Sequence, residues 1–197
     1  MVIGQGFAWA HLPRAAGTAT LEMFELFPDL IEHADPAESK HQHATFSQRE
    51  ERVAGRLLSL NIRRLPEWVL SRAHRVAMFG VEPDYVPAAM SSPRDLARST
   101  VPDERLTQFT DGGRFGVDRW LRVEHLAEDF LGLIAEFREV DPADRKQVEA
   151  VPQVNAIEYD HDVSHWFTPA QIREMYSRNP RWTALEERVY GDLTIDM

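Results

Sequence analysis

Apolar positions along the chain fall into short continuous runs separated by stripes at helical spacing. Residues 6–12 (GFAWAHL) and 57–63 (LLSLNIR) predict two buried strands, and 119–124 (RWLRVE) a third. The first strand leads through the loop PRAAGT into a helix over 18–27, with Leu21, Phe24 and Phe27 on one face and Pro28 ending it. An acidic, turn-like stretch occupies 29–38, and 40–46 (KHQHATF) reads as a short strand or loop. Ser47 and Glu50 have capping-box spacing for a helix that follows. Pro66 suits the first turn of the helix PEWVLSRAHR. Residues 77–118 lose periodicity and gather Pro, Gly, Ser and Asp, as a functional insertion or lid does. Leu126, Phe130, Leu133, Ile134 and Phe137 then mark another amphipathic helix. After a Pro/Asp-rich turn and a short segment around 151–159, Thr168–Pro169 and Asn179–Pro180 open two C-terminal helices, and Gly191 closes the last. Strands alternating with helices predict an α/β class: a three-layer α/β/α domain around a short, mainly parallel sheet. At 197 residues it is expected to be a single domain, 1–197.

Composition narrows the function. With 32 acidic against 22 basic residues the net charge is -10, which argues against nucleic acid as a partner. No apolar run approaches the roughly 20 residues a membrane span needs, and MVIGQGFAWAHLPR has no basic leader followed by a long apolar stretch. A soluble, cytoplasmic enzyme is expected. The absence of cysteine excludes disulfides, thiolate zinc sites and cysteine nucleophiles. His161 and His165, beside Asp160 and Asp162, are of metal-binding type. Without a further ligand pattern they read as a polar loop ahead of the Thr168 cap, and no metal is expected. The tryptophans Trp68, Trp120, Trp166 and Trp182 stand among apolar positions and are expected mostly in the core.

Two segments carry candidate chemistry. In HLPRAAGTAT a small-residue loop joins a strand to a helix N-terminus, where unpaired N–H groups and the helix dipole favour phosphate or sulfate. Gly17 permits close backbone approach, Thr18 and Thr20 offer hydroxyls, and Arg14 offers a fork. No Gly-Lys pair is present, which weakens an ATPase or GTPase reading. In NIRRLPEWVLS, Arg63 and Arg64 stand at a strand end, with Ser71 eight and seven residues on. A strand-end arginine and a helical serine suit one phosphate.

Together the two segments resemble the sulfotransferases that use 3′-phosphoadenosine 5′-phosphosulfate (PAPS), in their carbohydrate-type form. RWLRVEHLAEDF and WTALEERVYGDL are similar to later elements of that family. The resemblance implies a P-loop-like fold in which Pro13, Arg14, Ala15, Ala16, Gly17, Thr18, Ala19 and Thr20 cradle the 5′-phosphosulfate. It implies that Arg63, or Arg64, holds the 3′-phosphate with Ser71, leaving 3′,5′-ADP as product. Arg14 would assist the departing phosphate, and a base would come from Lys40-His41-Gln42-His43, through His41 or His43. Asn155, in PQVNA, would lie in a late loop over the adenine. The acceptor would be a small molecule or carbohydrate, reached through 77–118. Arg14 stands where the family usually has lysine, and Ala15 and Ala16 where it has hydroxyl or glycine positions. These departures leave two rivals, a P-loop phosphotransferase and a catalytically degenerate binding module. Neither oligomeric state nor acceptor identity is legible.

Overall fold

The computed structural model describes residues 1–36, 43–79, 92–152 and 159–196. In chain order its elements are β1 (Val2–Gly4), β2 (Phe7–Ala10), α1 (Gly17–Glu25), β3 (Ile31–Ala34), α2 (Glu50–Val53), β4 (Leu57–Ile62) and α3 (Leu65–Phe79). They continue as α4 (Pro93–Ala97), α5 (Val101–Thr110), β5 (Arg119–Arg122), α6 (Leu126–Ile134) and α7 (Pro142–Glu149). Last come α8 (Val163–Trp166), α9 (Pro169–Arg178) and α10 (Pro180–Tyr190). The chain divides into two compact units, Met1–Ile62 with Thr107–Asn155, and Arg63–Leu106 with Ala156–Met197.

The first unit is an α/β structure on a five-stranded sheet of order β3-β1-β2-β4-β5. The sheet is mixed, not mainly parallel as expected. β2, β4 and β5 run parallel in register, Trp9 opposite Ser59 and Leu60 opposite Trp120. β1 is antiparallel to both β2 and β3. The cause is local: Gln5 and Gly6 turn the chain directly back from β1 into β2, and Gly6, at φ 93°, supplies a backbone shape that only glycine adopts freely. β1 was invisible to periodicity because it is three residues long. β3 lies inside the stretch predicted as an acidic turn; its pattern IEHA alternates half-buried with exposed positions, as an edge strand does.

β2 and β4 lie inside the sheet. All four β2 residues are buried, and on β4 even the polar Ser59 and Asn61 are fully so. One face packs against α1, α6 and α7, whose Phe24, Phe130 and Val148, with Phe27 just after α1, close on Phe7 and Trp9. Phe7 stacks on Phe24 at 5.6 Å, and Phe24 meets Phe130 edge-on at 4.9 Å. Burying these rings is worth on the order of 2–3 kcal/mol each, which fixes the strand–loop–helix junction after β2 in place.

The second unit is helical in its described residues, with α9 packed on α3, α4 and α10. Much of the stretch expected to be irregular, 77–118, is ordered helix here. Ser92 accepts the Asp95 N–H at 3.2 Å and Pro93 follows it, the same opening that Thr168–Pro169 gives α9. The Ser47 capping box does not form. Thr45 donates its N–H to the Gln48 side chain instead, and only a 3-10 turn and the four-residue α2 follow. Trp68 and Trp182 are core, Trp120 and Trp166 half-buried, and Gly191 ends α10 at φ 85°. Among the described residues no helix is long and apolar enough to cross a membrane.

Candidate functional site

The junction between β2 and α1 concentrates backbone strain. Arg14 and Ala16 both sit at positive φ, 67° and 56°, where a side chain costs about 1–2 kcal/mol. Among the described residues only Asp111 is a third non-glycine of this kind. Left-handed residues inside a loop turn successive N–H groups toward one side and make an anion-sized concavity. α1 begins directly after it, on an N-cap, Ala16, that supplies no side-chain hydrogen bond. The amides of its first turn have no acceptor within the helix, and their dipoles add partial positive charge. Arg14 is half-buried beside them.

What holds this shape is a buried amide that sequence reading passed over. Asn61 on β4 donates through Nδ2 to the Ala15 carbonyl at 2.8 Å and to the Thr20 hydroxyl at 2.7 Å. Its Oδ1 accepts the Trp9 indole N–H at 2.6 Å. Trp9 therefore fixes which way the amide points, and the amide ties both ends of the loop to the sheet. The signal was an amide next to the end of a mostly apolar central strand. Such a group is tolerated only when satisfied.

This arrangement reassigns one candidate. The Thr20 hydroxyl, fully buried, gives its proton to the Ala16 carbonyl at 3.0 Å and accepts from Asn61. Thr20 braces the loop and has no proton left for a ligand. Ala15 and Ala19 are likewise buried, so Pro13, Arg14, Ala16 and Thr18 form the more open side. Gly17 is buried under the His11 ring, and a Cβ there would collide with it. His11 stacks on Trp9 at 5.6 Å, and burial pushes its pKa down to about 3, so it is neutral at pH 7. It is a packing residue.

No family model, no curated protein and no solved structure matches this chain. Roles therefore rest on the residues themselves.

His43 lies next to the loop. Its ring is 4.5 Å from that of His11, and its Nδ1 is 3.1 Å from the His11 carbonyl oxygen. A carbonyl only accepts, so Nδ1 carries the proton and the neutral ring keeps its lone pair on Nε2. His43 is exposed, with a basic nitrogen of defined position. Lys40, His41 and Asn155 lie outside the described residues.

In the second unit the two adjacent arginines separate. Arg64 is held by Asp192 at 2.5 Å and by Glu186 at 3.4 Å, with its guanidinium 4.2 Å over the Tyr190 ring. Its charge is spent inside the unit. Arg63 has a half-buried side chain whose Nε meets no hydrogen-bond partner, while its carbonyl accepts from the Trp182 indole at 3.2 Å. Ser71 is buried, two turns into α3. Among the described residues no group of three His, Asp or Glu side chains could hold a metal ion, and His165 instead pairs with Asp160 at 3.5 Å.

Proposed function

We propose that this chain is a PAPS-dependent sulfotransferase with the P-loop-like, three-layer organisation that its motifs resemble. The observation that carries the reading is the strained Pro13–Thr18 loop, braced by Asn61 and opening onto the N-terminus of α1. Such a loop fits the 5′-phosphosulfate: the backbone amides and Arg14 would meet its oxygens. In the transfer, the bond from sulfur to the bridging phosphate oxygen breaks while a bond from the acceptor hydroxyl or amine to sulfur forms. Arg14 would offset charge growing on the bridging oxygen. His43 would take the acceptor proton on Nε2, with His41 and Lys40 kept as further members of that cluster. Positioning and electrostatics would supply most of the rate. The 3′-phosphate would fall to Arg63 with Ser71, a part of the proposal carried by sequence resemblance. The commitment of Arg64 to Asp192 and Glu186 favours Arg63 of the pair. The acceptor would be a small molecule or carbohydrate.

One observation favours a second reading. The inward Thr20 hydroxyl and the methyl groups of Ala15 and Ala16 leave the cradle poor in side-chain donors, as in a module that binds an anion without turning it over.

Melting temperatures in parallel with 3′,5′-ADP, 5′-AMP and ATP with magnesium distinguish these readings. At 100 times its dissociation constant, 3′,5′-ADP should stabilise by about 2.7 kcal/mol. That gain should disappear in Arg14→Ala and Arg63→Ala. An equal or larger response to ATP with magnesium sinks the sulfotransferase reading. Binding of 3′,5′-ADP without sulfuryl transfer to any acceptor supports the non-catalytic one.

A further inference from the structure

The second unit forms a partly open cavity of about 380 Å³ that is separate in chemistry from the anion loop. Its volume falls in the range of small-ligand sites, about 300–1,000 Å³. Val163, Phe167 and Ile172, all buried, and the half-buried Ile195 make most of its wall. They come from α8, the residue after it, α9 and the C-terminal turn. The charged residues lining it are the carboxylates Glu67, in the first turn of α3, and Asp162, the N-cap of α8; His161 is the other titratable one. No arginine or lysine is among the described residues that line it.

Polar chemistry at the wall points the same way. The Asp162 carboxylate accepts the Ser164 N–H at 2.9 Å and the Ser164 hydroxyl at 2.7 Å, which holds its pKa below the ordinary carboxylate value and keeps it charged. Thr194 lines the cavity with a buried hydroxyl oxygen that finds no hydrogen-bond partner. A lining that combines branched and aromatic side chains with two carboxylates complements a molecule that is both apolar and cationic. The two carboxylates would repel an anion there.

We infer that this cavity is a binding site for an amphipathic primary amine, its apolar body against Val163, Phe167, Ile172 and Ile195 and its ammonium facing Glu67 and Asp162. The inference does not rest on the sulfotransferase reading. It predicts a ligand of opposite charge to that of the loop after β2.

Tryptamine and indole-3-propionate share an aromatic body and differ in the sign of the head group, so the pair tests the assignment by calorimetry on the full chain. Tryptamine should bind at least tenfold more tightly, and its addition should move the methyl resonances of Val163, Ile172 and Ile195. Glu67→Gln should lower tryptamine affinity tenfold and leave indole-3-propionate unchanged. Ile195→Trp, which fills the cavity from its half-buried edge, should abolish binding of both; it also serves should Glu67→Gln fail to fold. Equal binding of the two probes overturns the inference. So does the absence of tryptamine binding, methyl shifts confined to other residues, or an affinity indifferent to both substitutions.

Discussion

Asn61 in the first unit and Glu186 in the second are both fully buried polar side chains that tie distant segments together, and they are used in opposite ways. Asn61, in the first unit, is neutral and spends its hydrogen bonds on Trp9, Ala15 and Thr20, which keeps a loop in a shape it would not choose alone. Glu186, in the second, is acidic and saturated: it accepts from Tyr176 Oη at 2.7 Å, from the Leu65 N–H at 2.8 Å and from Arg64 at 3.4 Å. Burial raises its pKa, and these three donors oppose that rise. Its donors come from α3, α9 and the residue before α3, all in the same unit, so the cluster closes on itself. The Asn61 cluster satisfies itself inward while presenting backbone amides and Arg14 on its other side. Buried polarity marks a candidate site in the Asn61 pattern, where the strain it maintains has no structural use of its own.

Breaking the closed cluster should have the largest effect. Arg64→Ala strands a buried carboxylate and should cost about 4 kcal/mol by chemical denaturation, with much of it recovered in Arg64→Ala/Glu186→Gln. Arg63→Ala should change stability by less than about 1 kcal/mol, since its guanidinium is not in that cluster. Asn61→Ala comes next. It orphans the Trp9 N–H and empties the brace, costing about 3 kcal/mol and abolishing anion binding together. If the loop still binds 3′,5′-ADP in that variant, the amide is not what shapes it.

Gly17→Ala should cost about 2 kcal/mol, because the new methyl displaces the His11 ring. Gly132 in α6 is the matched control. Nothing lies within 4 Å of where its Cβ would be, so Gly132→Ala should stabilise by about 0.5–1 kcal/mol.

His11 gives a pH signature between these sizes. Its folded pKa of about 3 lies below the ordinary histidine value of 6.5, so the unfolded chain binds the extra proton. The resulting stability is complete above pH 6.5 and is lost as pH falls toward 3. One unit below 6.5 the loss is about 1.4 kcal/mol. Denaturation at pH 7.5 and 5.5 should show it in the native chain and lack it in His11→Phe.

The sequence carried the parallel part of the fold and missed the antiparallel part for physical reasons. β2 and β4 stand out because strands buried on both faces are written as unbroken apolar runs. β1 is too short for any period, and β3 carries Glu32 and His33 on an edge where alternation resembles a polar turn. α4 was concealed by Pro and Ser, although Ser92–Pro93 has the same cap grammar as Thr168–Pro169. In the site, the loop and its glycine were legible from composition. The partition of roles was not: that Thr20 points inward and Arg64 is consumed depends on Asn61, Glu186 and Asp192, which lie 41, 122 and 128 residues away.

The central claim is that the Pro13–Thr18 loop is an anion cradle. Titrating 3′,5′-ADP into the isotope-labelled protein and following backbone amides tests it at the atoms concerned. The account predicts saturable shifts in the Ala16, Gly17 and Thr18 amides that share one dissociation constant and weaken at least tenfold in Arg14→Ala. Saturation that leaves these three amides unmoved, or shifts them no less in Arg14→Ala, would contradict it.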